Sequence, residues 1–313
     1  MRVLVTGAAG FIGSHLAEQL SARGHTVVGL DGLTPYYDPA LKQARLVQLE
    51  EQGIATRQLD LAVDPIRPAL REIDVVYHLA AQPGLSSQTS RRTFVRNNVR
   101  ATERLLTALA DHSTLSTLFY ISSSSVYGAD ATGREHTSLA PISAYGRTKL
   151  RAEQAVRAAA RRASWEACIL RLFSVYGPRE RPDKLIHKAL RCARTGDAFP
   201  LYEGSAEHRR SFTYVEDVVD GMEAALRRLD RCQGEIINLG APTTASTQHV
   251  LNVVADTVGA PLCIERVPPR DGDQRRTCAQ IQKARRLLDF SPTTTLREGI
   301  AAEAAWMDEA RVH

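Results

Sequence analysis

The first thirteen residues constrain the fold more than any other stretch. Arg2-Val-Leu-Val-Thr6 is a short β-forming run that breaks into Gly7-Ala-Ala-Gly10-Phe-Ile-Gly13, after which Leu16 and Leu20 share one helical face. Strand, glycine turn and helix in that order form the arrangement that binds dinucleotides. With no side chains in the way, backbone N–H groups at the helix N-terminus approach a pyrophosphate. Gly7, Gly10, Phe11, Ile12 and Gly13 are therefore expected against such a cofactor. The spacing is G-x-x-G-x-x-G rather than the more general G-x-G-x-x-G, so the following strands have to carry part of the inference.

They continue the pattern. A second strand, Thr26–Leu30, ends at Asp31, about twenty residues beyond the glycines, where a carboxylate accepts hydrogen bonds from ribose hydroxyls and repels a 2′-phosphate. No arginine follows within several residues, which favours NAD over NADP. Asp60-Leu61, after a third strand, is placed to meet the adenine. Asp74–Leu79 reads as a buried fourth strand running into Ala80-Ala81-Gln82-Pro83-Gly84. Leu79, Ala80, Ala81 and Gln82 would let the chain pass close to the cofactor. Arg91–His112 reads as a long helix with polar Asn98 on it. Leu118–Ile121 is a fifth strand that delivers Ser122, Ser123 and Ser124 to its carboxyl end, where open α/β sheets bind ligands.

The chemistry is concentrated on the next helix, Ala144–Arg162. Tyr145 and Lys149 stand four apart and so share one face. An ammonium beside a phenol favours phenolate, drawing the tyrosine below its usual value of about 10. A tyrosine tuned in this way accepts a proton from a sugar hydroxyl at neutral pH, with Ser123 bridging the same hydroxyl. A sixth strand, Ala167–Leu172, follows. From Gly177-Pro178 onward strand–helix alternation weakens and Pro182, Gly196, Pro200 and Gly204 interrupt the chain. This divides it into residues 1–176, with about 213–240 packing back, and 177–313. Helices are expected over Val215–Leu229, Thr247–Val258, Gln280–Leu288 and Leu296–Glu309, and a short strand over 236–239.

Composition excludes several classes. The net charge of +5 rests on scattered arginines, with lysine only at 42, 149, 184, 188 and 283 and no basic tail, which argues against nucleic-acid binding. No apolar run reaches the roughly 18 residues of a membrane span, and the glycines interrupt any signal-peptide core, so a cytoplasmic chain with no membrane partner is expected. The five cysteines (168, 192, 232, 263, 278) include no C-x-x-C pair, so neither a disulfide framework nor a zinc site is expected.

Thr6-Gly7-Ala-Ala-Gly10-Phe-Ile-Gly13, His78-Leu-Ala-Ala81, Ser123 with Tyr145 and Lys149, Val175-Tyr-Gly-Pro178 and Arg210-Ser-Phe-Thr-Tyr214 followed by Asp217 occur in that order. In this the chain resembles the extended short-chain dehydrogenase/reductase family along its full length, and within it the nucleotide-sugar epimerases. The resemblance implies a Rossmann doubly wound parallel sheet holding NAD, a smaller C-terminal α/β domain gripping a nucleoside diphosphate sugar, and a homodimer joined through helices near 91–112 and 144–163. Asp31–Leu46, Ser122–Gly128 and Val175–Asp183 look most like UDP-glucuronate 4-epimerases. Sugar 4,6-dehydratases and UDP-glucuronate decarboxylases are similar but carry an acid where Ser125 stands.

The resemblance further implies roles. Tyr145 takes the C4 hydroxyl proton while NAD oxidises C4, Lys149 lowers the phenol's pKa and bonds the nicotinamide ribose, and Ser123 shares the proton. A uronate carboxylate lies β to the transient ketone and has to be gripped against decarboxylation. Ser122, Ser124 and Ser174 with Arg181 are the expected clamp. Arg210 and Arg270, with Asp273 near, would pair with the diphosphate, and Tyr202 would stack on the uracil. Two departures stand out: Leu85-Ser86-Ser87 replaces an arginine common in the family, and Ala279-Gln280 replaces Ala-Asp. The competing expectations are a 4-epimerase of a neutral UDP-hexose or UDP-N-acetylhexosamine, a decarboxylase or dehydratase, and a non-enzymatic NAD sensor.

Overall fold

The computed structural model describes residues 1–84, 89–269 and 272–310. Seven parallel strands form its main sheet. From one edge their order is Ile236–Leu239, Glu166–Leu172, Thr117–Ser123, Val75–His78, Arg2–Thr6, Thr26–Asp31 and Ala55–Gln58. The order reverses beside Arg2–Thr6, the switch point at which doubly wound sheets open a crevice.

Strand alternation sorts the core onto the two faces of this sheet. Val3 and Val5 pack with Leu16, Leu20 and Tyr77 on one side. Leu4 packs with Val76, Leu105, Leu118 and Trp165 on the other. Both faces are covered by helices, so the strands read as continuous apolar runs. The last strand, Ile236–Leu239, reaches the sheet edge only after the chain has left it for some sixty residues, and pairs with Glu166–Leu172 from Ile236↔Ile169 to Leu239↔Leu172.

Outside this sheet the strands are short. Ser174–Tyr176 pairs with Phe212–Tyr214, and Phe199–Tyr202 pairs with Ile264–Val267. Ala245–Ser246, Arg209–Arg210, Arg276–Thr277 and Asp130–Ala131 form a small mixed sheet. Helices Leu185–Thr195, Thr247–Val258 and Leu296–Glu309 complete this half.

Most expected elements stand within two residues of their expected ends, with one structural departure. The helix expected over 91–112 is α-helical at Arg91–Phe94 and Ala101–Leu109, but a π-helical stretch, Val95–Arg100, joins the two. An inserted π turn rotates the faces that follow it, and this changes which asparagine meets the crevice.

Candidate active site

At the switch point Gly7 has φ +77°, and a Cβ on it would come within 2.9 Å of the Ala80 nitrogen; one on Gly13 would lie 2.1 Å from the Gly7 carbonyl oxygen. Only glycine allows the loop to close on itself and on the Leu79–Ala80 peptide in this way. The helix Phe11–Ala22 then begins at Gly10 with no side-chain cap and no acidic residue in its first turn. Its N-terminal dipole and donors therefore face the crevice. Asp31 accepts N–H bonds from Ala9 (3.1 Å) and Leu33 (2.8 Å). Burial raises its pKa, opposed by those bonds and by Lys42 and Arg45.

One continuous cleft runs from this cradle across the sheet's carboxyl ends. Its walls include Gly7, Gly10, Phe11, Ile12, Gly13, Asp31, Asp60, Leu61, Leu79, Ala80, Ala81, Ser122, Tyr145 and Lys149 from the residues expected at the cofactor. Gln82 and Asn98 do not line it. The Gln82 N–H donates to Asn98 Oδ1 (2.6 Å), and Asn98 Nδ2 donates to the Gln82 carbonyl (3.2 Å) and to Thr148 Oγ1 (3.0 Å). Both side chains are buried. Asn98 thus pins the Ala-Ala-Gln segment to the helix that carries Tyr145, while Asn97 from the π turn faces the cleft.

Helix Ala144–Ala160 starts on Ser143, whose Oγ accepts the Gly146 N–H. Its Tyr145 phenol lines the cleft together with Ser123, whose hydroxyl donates to Ser125 Oγ at 3.2 Å. The expected effect of Lys149 is not found. Burial holds the Tyr145 phenol above its ordinary value, and the groups that pull it down are Ser123 and Arg181. Sharing a helix face fixes where Lys149 begins but not where its head points. The Nζ donates to the Ile121 carbonyl at 2.5 Å and lies 4.4 Å from the Tyr120 ring centroid. Burial lowers its pKa to about 7, and Glu153 works against that shift.

The same cleft is also lined by Ser123, Ser124, Ser174, Arg181, Tyr202, Arg210 and Asp273. Arg181 forms a fork with Asp183 (Nε–Oδ1 2.9 Å, Nη2–Oδ2 3.0 Å), and its guanidinium lies 5.3 Å from the Tyr36 ring centroid. Tyr36 donates to the same carboxylate at 3.1 Å. Arg210 meets Asp273 at 2.7 Å, with His208 at 3.5 Å on the carboxylate's other oxygen. Arg270 lies outside the described residues, as do Leu85-Ser86-Ser87. Ser122 leaves the expected carboxylate clamp, because its hydroxyl is buried and donates to Glu153.

Several groups at the site carry no local sequence signal. Lys184, Lys188, Gln274 and Phe212 line the cleft. Gln274 is fixed by the Gly128 and Ser124 carbonyls at 2.7 and 3.3 Å. Arg45, fully covered, donates to the Ala9 carbonyl (3.2 Å), the Tyr37 hydroxyl (3.2 Å) and the Arg179 carbonyl (2.7 Å), joining the glycine loop to the loop that carries Arg181. Behind Arg181 sit two buried acids, Glu180 and Glu303. Glu303 accepts the Gly177 N–H at 3.1 Å and lies 3.7 Å from His187, and Lys184 lies 3.6 Å from Glu180. Burial and mutual repulsion push Glu180 up, and burial pushes Glu303 up to about 8.

The profile of the NAD dependent epimerase/dehydratase family matches residues 3–240. A Bacillus subtilis (strain 168) protein named YtcB, described as an uncharacterized UDP-glucose epimerase, is 36% identical over 316 residues, 98% of each chain. UDP-glucuronate 4-epimerase 3 of Arabidopsis thaliana is 32% identical over 328 residues, 97% of this chain and 76% of the plant protein. UDP-glucuronic acid 4-epimerase from Bacillus cereus, crystallised with UDP-glucuronic acid and NAD, is similar with a TM-score of 0.94 and 34% identity over 99% of this chain and 100% of that one.

Proposed function

The chain belongs to the NAD dependent epimerase/dehydratase family, and from that premise we propose that it inverts C4 of a UDP-sugar, interconverting UDP-glucuronate and UDP-galacturonate. One observation carries the reading: a single cleft passes from the glycine cradle, over Ser123 and Tyr145, to a half-buried arginine held in position by a carboxylate. The cradle suits NAD, since glycines at 7 and 13 let the loop close tightly under an uncapped helix N-terminus, where a pyrophosphate is favoured, and Asp31 is spaced for a ribose. Bound there, NAD supplies oxidation at C4 followed by reduction of the 4-keto sugar.

The remaining steps belong to the protein. Tyr145 takes the C4 hydroxyl proton and later returns it, and Ser123, which lines the same cleft, shares it. Arg181 favours the phenolate by its charge. Lys149, turned to the Ile121 carbonyl, is assigned to the nicotinamide ribose rather than to the phenol. Arg181, Ser124 and Ser174 hold a uronate carboxylate out of line with the C4 carbonyl, so that carbon dioxide is not lost. Arg210, with Arg270, takes the diphosphate, Asp273 orients Arg210, and Tyr202 stacks on the uracil.

Residues 1–176 with 213–240 are the NAD-binding body in this reading, and 177–313 the sugar-nucleotide body. A cytoplasmic homodimer is the expected working form. No helix among the described residues is long and apolar enough to cross a membrane. Purified protein given UDP-glucuronate, with products followed by mass spectrometry and NMR, tests the proposal. UDP-galacturonate at unchanged mass supports it. Loss of carbon dioxide or water refutes it in favour of a decarboxylase or dehydratase, and turnover of neutral UDP-hexoses alone refutes the uronate. Bound NAD with no turnover of any UDP-sugar would refute enzymatic function.

A further inference from the structure

Beneath Ser123 and Lys149 lies a buried polar network for which the reaction above has no use. Glu153 stands one turn beyond Lys149 and two beyond Tyr145 on the same helix. Its Oε1 accepts the Ser122 hydroxyl and Arg171 Nε (3.0 Å), and its Oε2 accepts Arg171 Nη2 (2.7 Å). The two side chains are only 3% and 1% exposed. Arg171 also donates to the Tyr127 hydroxyl (3.0 Å) and the Glu135 carbonyl (3.1 Å), and Tyr127 donates to Asn238 Oδ1 (2.8 Å). The network therefore spans strands Thr117–Ser123, Glu166–Leu172 and Ile236–Leu239.

We propose that Glu153, clamped by Arg171, is a positioning residue that keeps Lys149 protonated in the buried site and fixes the strand end presenting Ser123 to Tyr145. Three observations support this. First, the strand alternates, so Tyr120 and Ser122 both face the helix: Lys149 lies against Tyr120, and Glu153 against Ser122. Ser122 sits between Ile121, whose carbonyl accepts from the Lys149 Nζ, and Ser123, which lines the cleft with Tyr145. Second, every other titratable group around Lys149 fails to hold its charge. His78 is bonded to Thr6 and Thr102 and is neutral, its pKa lowered to about 3, while Tyr120 is a buried phenol whose pKa burial pushes well up and Tyr145 a half-buried one whose pKa is raised. Glu153 is the one group that raises the lysine against burial. Third, Glu153 accepts from Arg171 on both oxygens, which fixes its side chain one turn beyond Lys149. A stabilising role alone would be a weak reason for such a pair, since buried ion pairs contribute little net stability.

The inference deepens the proposed function and rests on its assignment of Lys149 and Ser123, but its principal readout does not need turnover. Lysine occurs at only five positions, so the Cε resonance of Lys149 in protein labelled with 13C-lysine is assignable by a Lys149→Arg sample and titratable in the NAD-loaded enzyme. Glu153→Gln is expected to lower the Lys149 midpoint by about one unit or more. The alkaline limb of kcat should move the same way, so that activity lost at pH 8 returns on acidification. Glu153→Gln leaves Arg171 unpaired, and that cation by itself repels Lys149, so Glu153→Gln with Arg171→Met gives a second variant free of buried unpaired charge, in which a smaller shift in the same direction is expected. Glu153→Asp should restore the wild-type profile in part. If the folded variants melt lower while the Lys149 midpoint and the pH profile stay at their wild-type values, the network is structural only and the proposal falls. Absence of turnover in the wild type would refute the function reading instead, and the titration would still decide this one.

Discussion

Glu303→Gln isolates the buried acid pair behind Arg181. The Glu303 carboxyl is fully covered, and burial raises its pKa from 4.5 to about 8. A raised acid is favoured in its protonated form by the fold. Its contribution is complete below about pH 4.5 and is lost as pH rises towards 8. Each unit inside that window is worth about 1.4 kcal/mol, so moving from pH 5 to pH 7 weakens the wild type through this group by about 2.5 kcal/mol, an upper figure because Glu180 shares the effect. Glutamine mimics the protonated acid, can still accept the Gly177 N–H, and does not titrate. At about 2 °C per kcal/mol for a chain of this length, the wild-type Tm should fall about 5 °C more than the variant's between pH 5 and pH 7. Thermal melts of both proteins in matched ionic strength read the difference directly. Parallel curves would refute the reasoning, meaning that Glu303 is ionised in the fold and that Lys184 and His187 neutralise it more fully than burial penalises it.

Tyr145→Phe should abolish turnover, a loss of 10² to 10⁴-fold or more being typical for a positioned acid–base group, while bound NAD is retained; near-normal kcat would remove the proton-transfer assignment. Arg181→Ala should release decarboxylated product from UDP-glucuronate, detected by mass, and unchanged product purity would exclude it from the carboxylate clamp. Asn98→Ala strands the Gln82 N–H in the interior, while the Thr148 hydroxyl keeps the Tyr145 carbonyl as its acceptor, so a stability loss of about 1–3 kcal/mol is expected by denaturant titration. A neutral result would mean water replaces the amide.

The local pattern of the sequence carries the sheet, because each strand ends in a turn signal and each helix keeps one apolar face. It also carries the glycine turn and the placement of Ser123 and Tyr145 on one cleft, since these follow from strand ends and helix starts. What it does not carry is direction and register. Residue spacing sets Lys149 one turn from Tyr145, but the free Ile121 carbonyl draws the ammonium away. The π turn at Val95–Arg100 moves Asn98 inside and Asn97 to the cleft, and no local composition marks it. Ser122 looks like a ligand group until Arg171 is known to sit opposite it in the neighbouring strand, bringing Glu153 with it. Glu180 and Glu303 meet only because the last helix returns to the Gly177 turn.

The sheet's outermost strand, Ile236–Leu239, is contributed by chain that has already lined part of the cleft. Cutting the gene after Tyr176 would therefore not yield a minimal NAD-binding fragment. Such a piece would present Glu166–Leu172 as a raw, apolar rim ready to recruit a strand from another molecule, and would leave Arg171 without the Asn238 end of its relay. The two halves are stitched together by backbone rather than hinged at a linker. Exchanging residues 177–313 between relatives would need to keep residues 213–240 with the recipient's sheet.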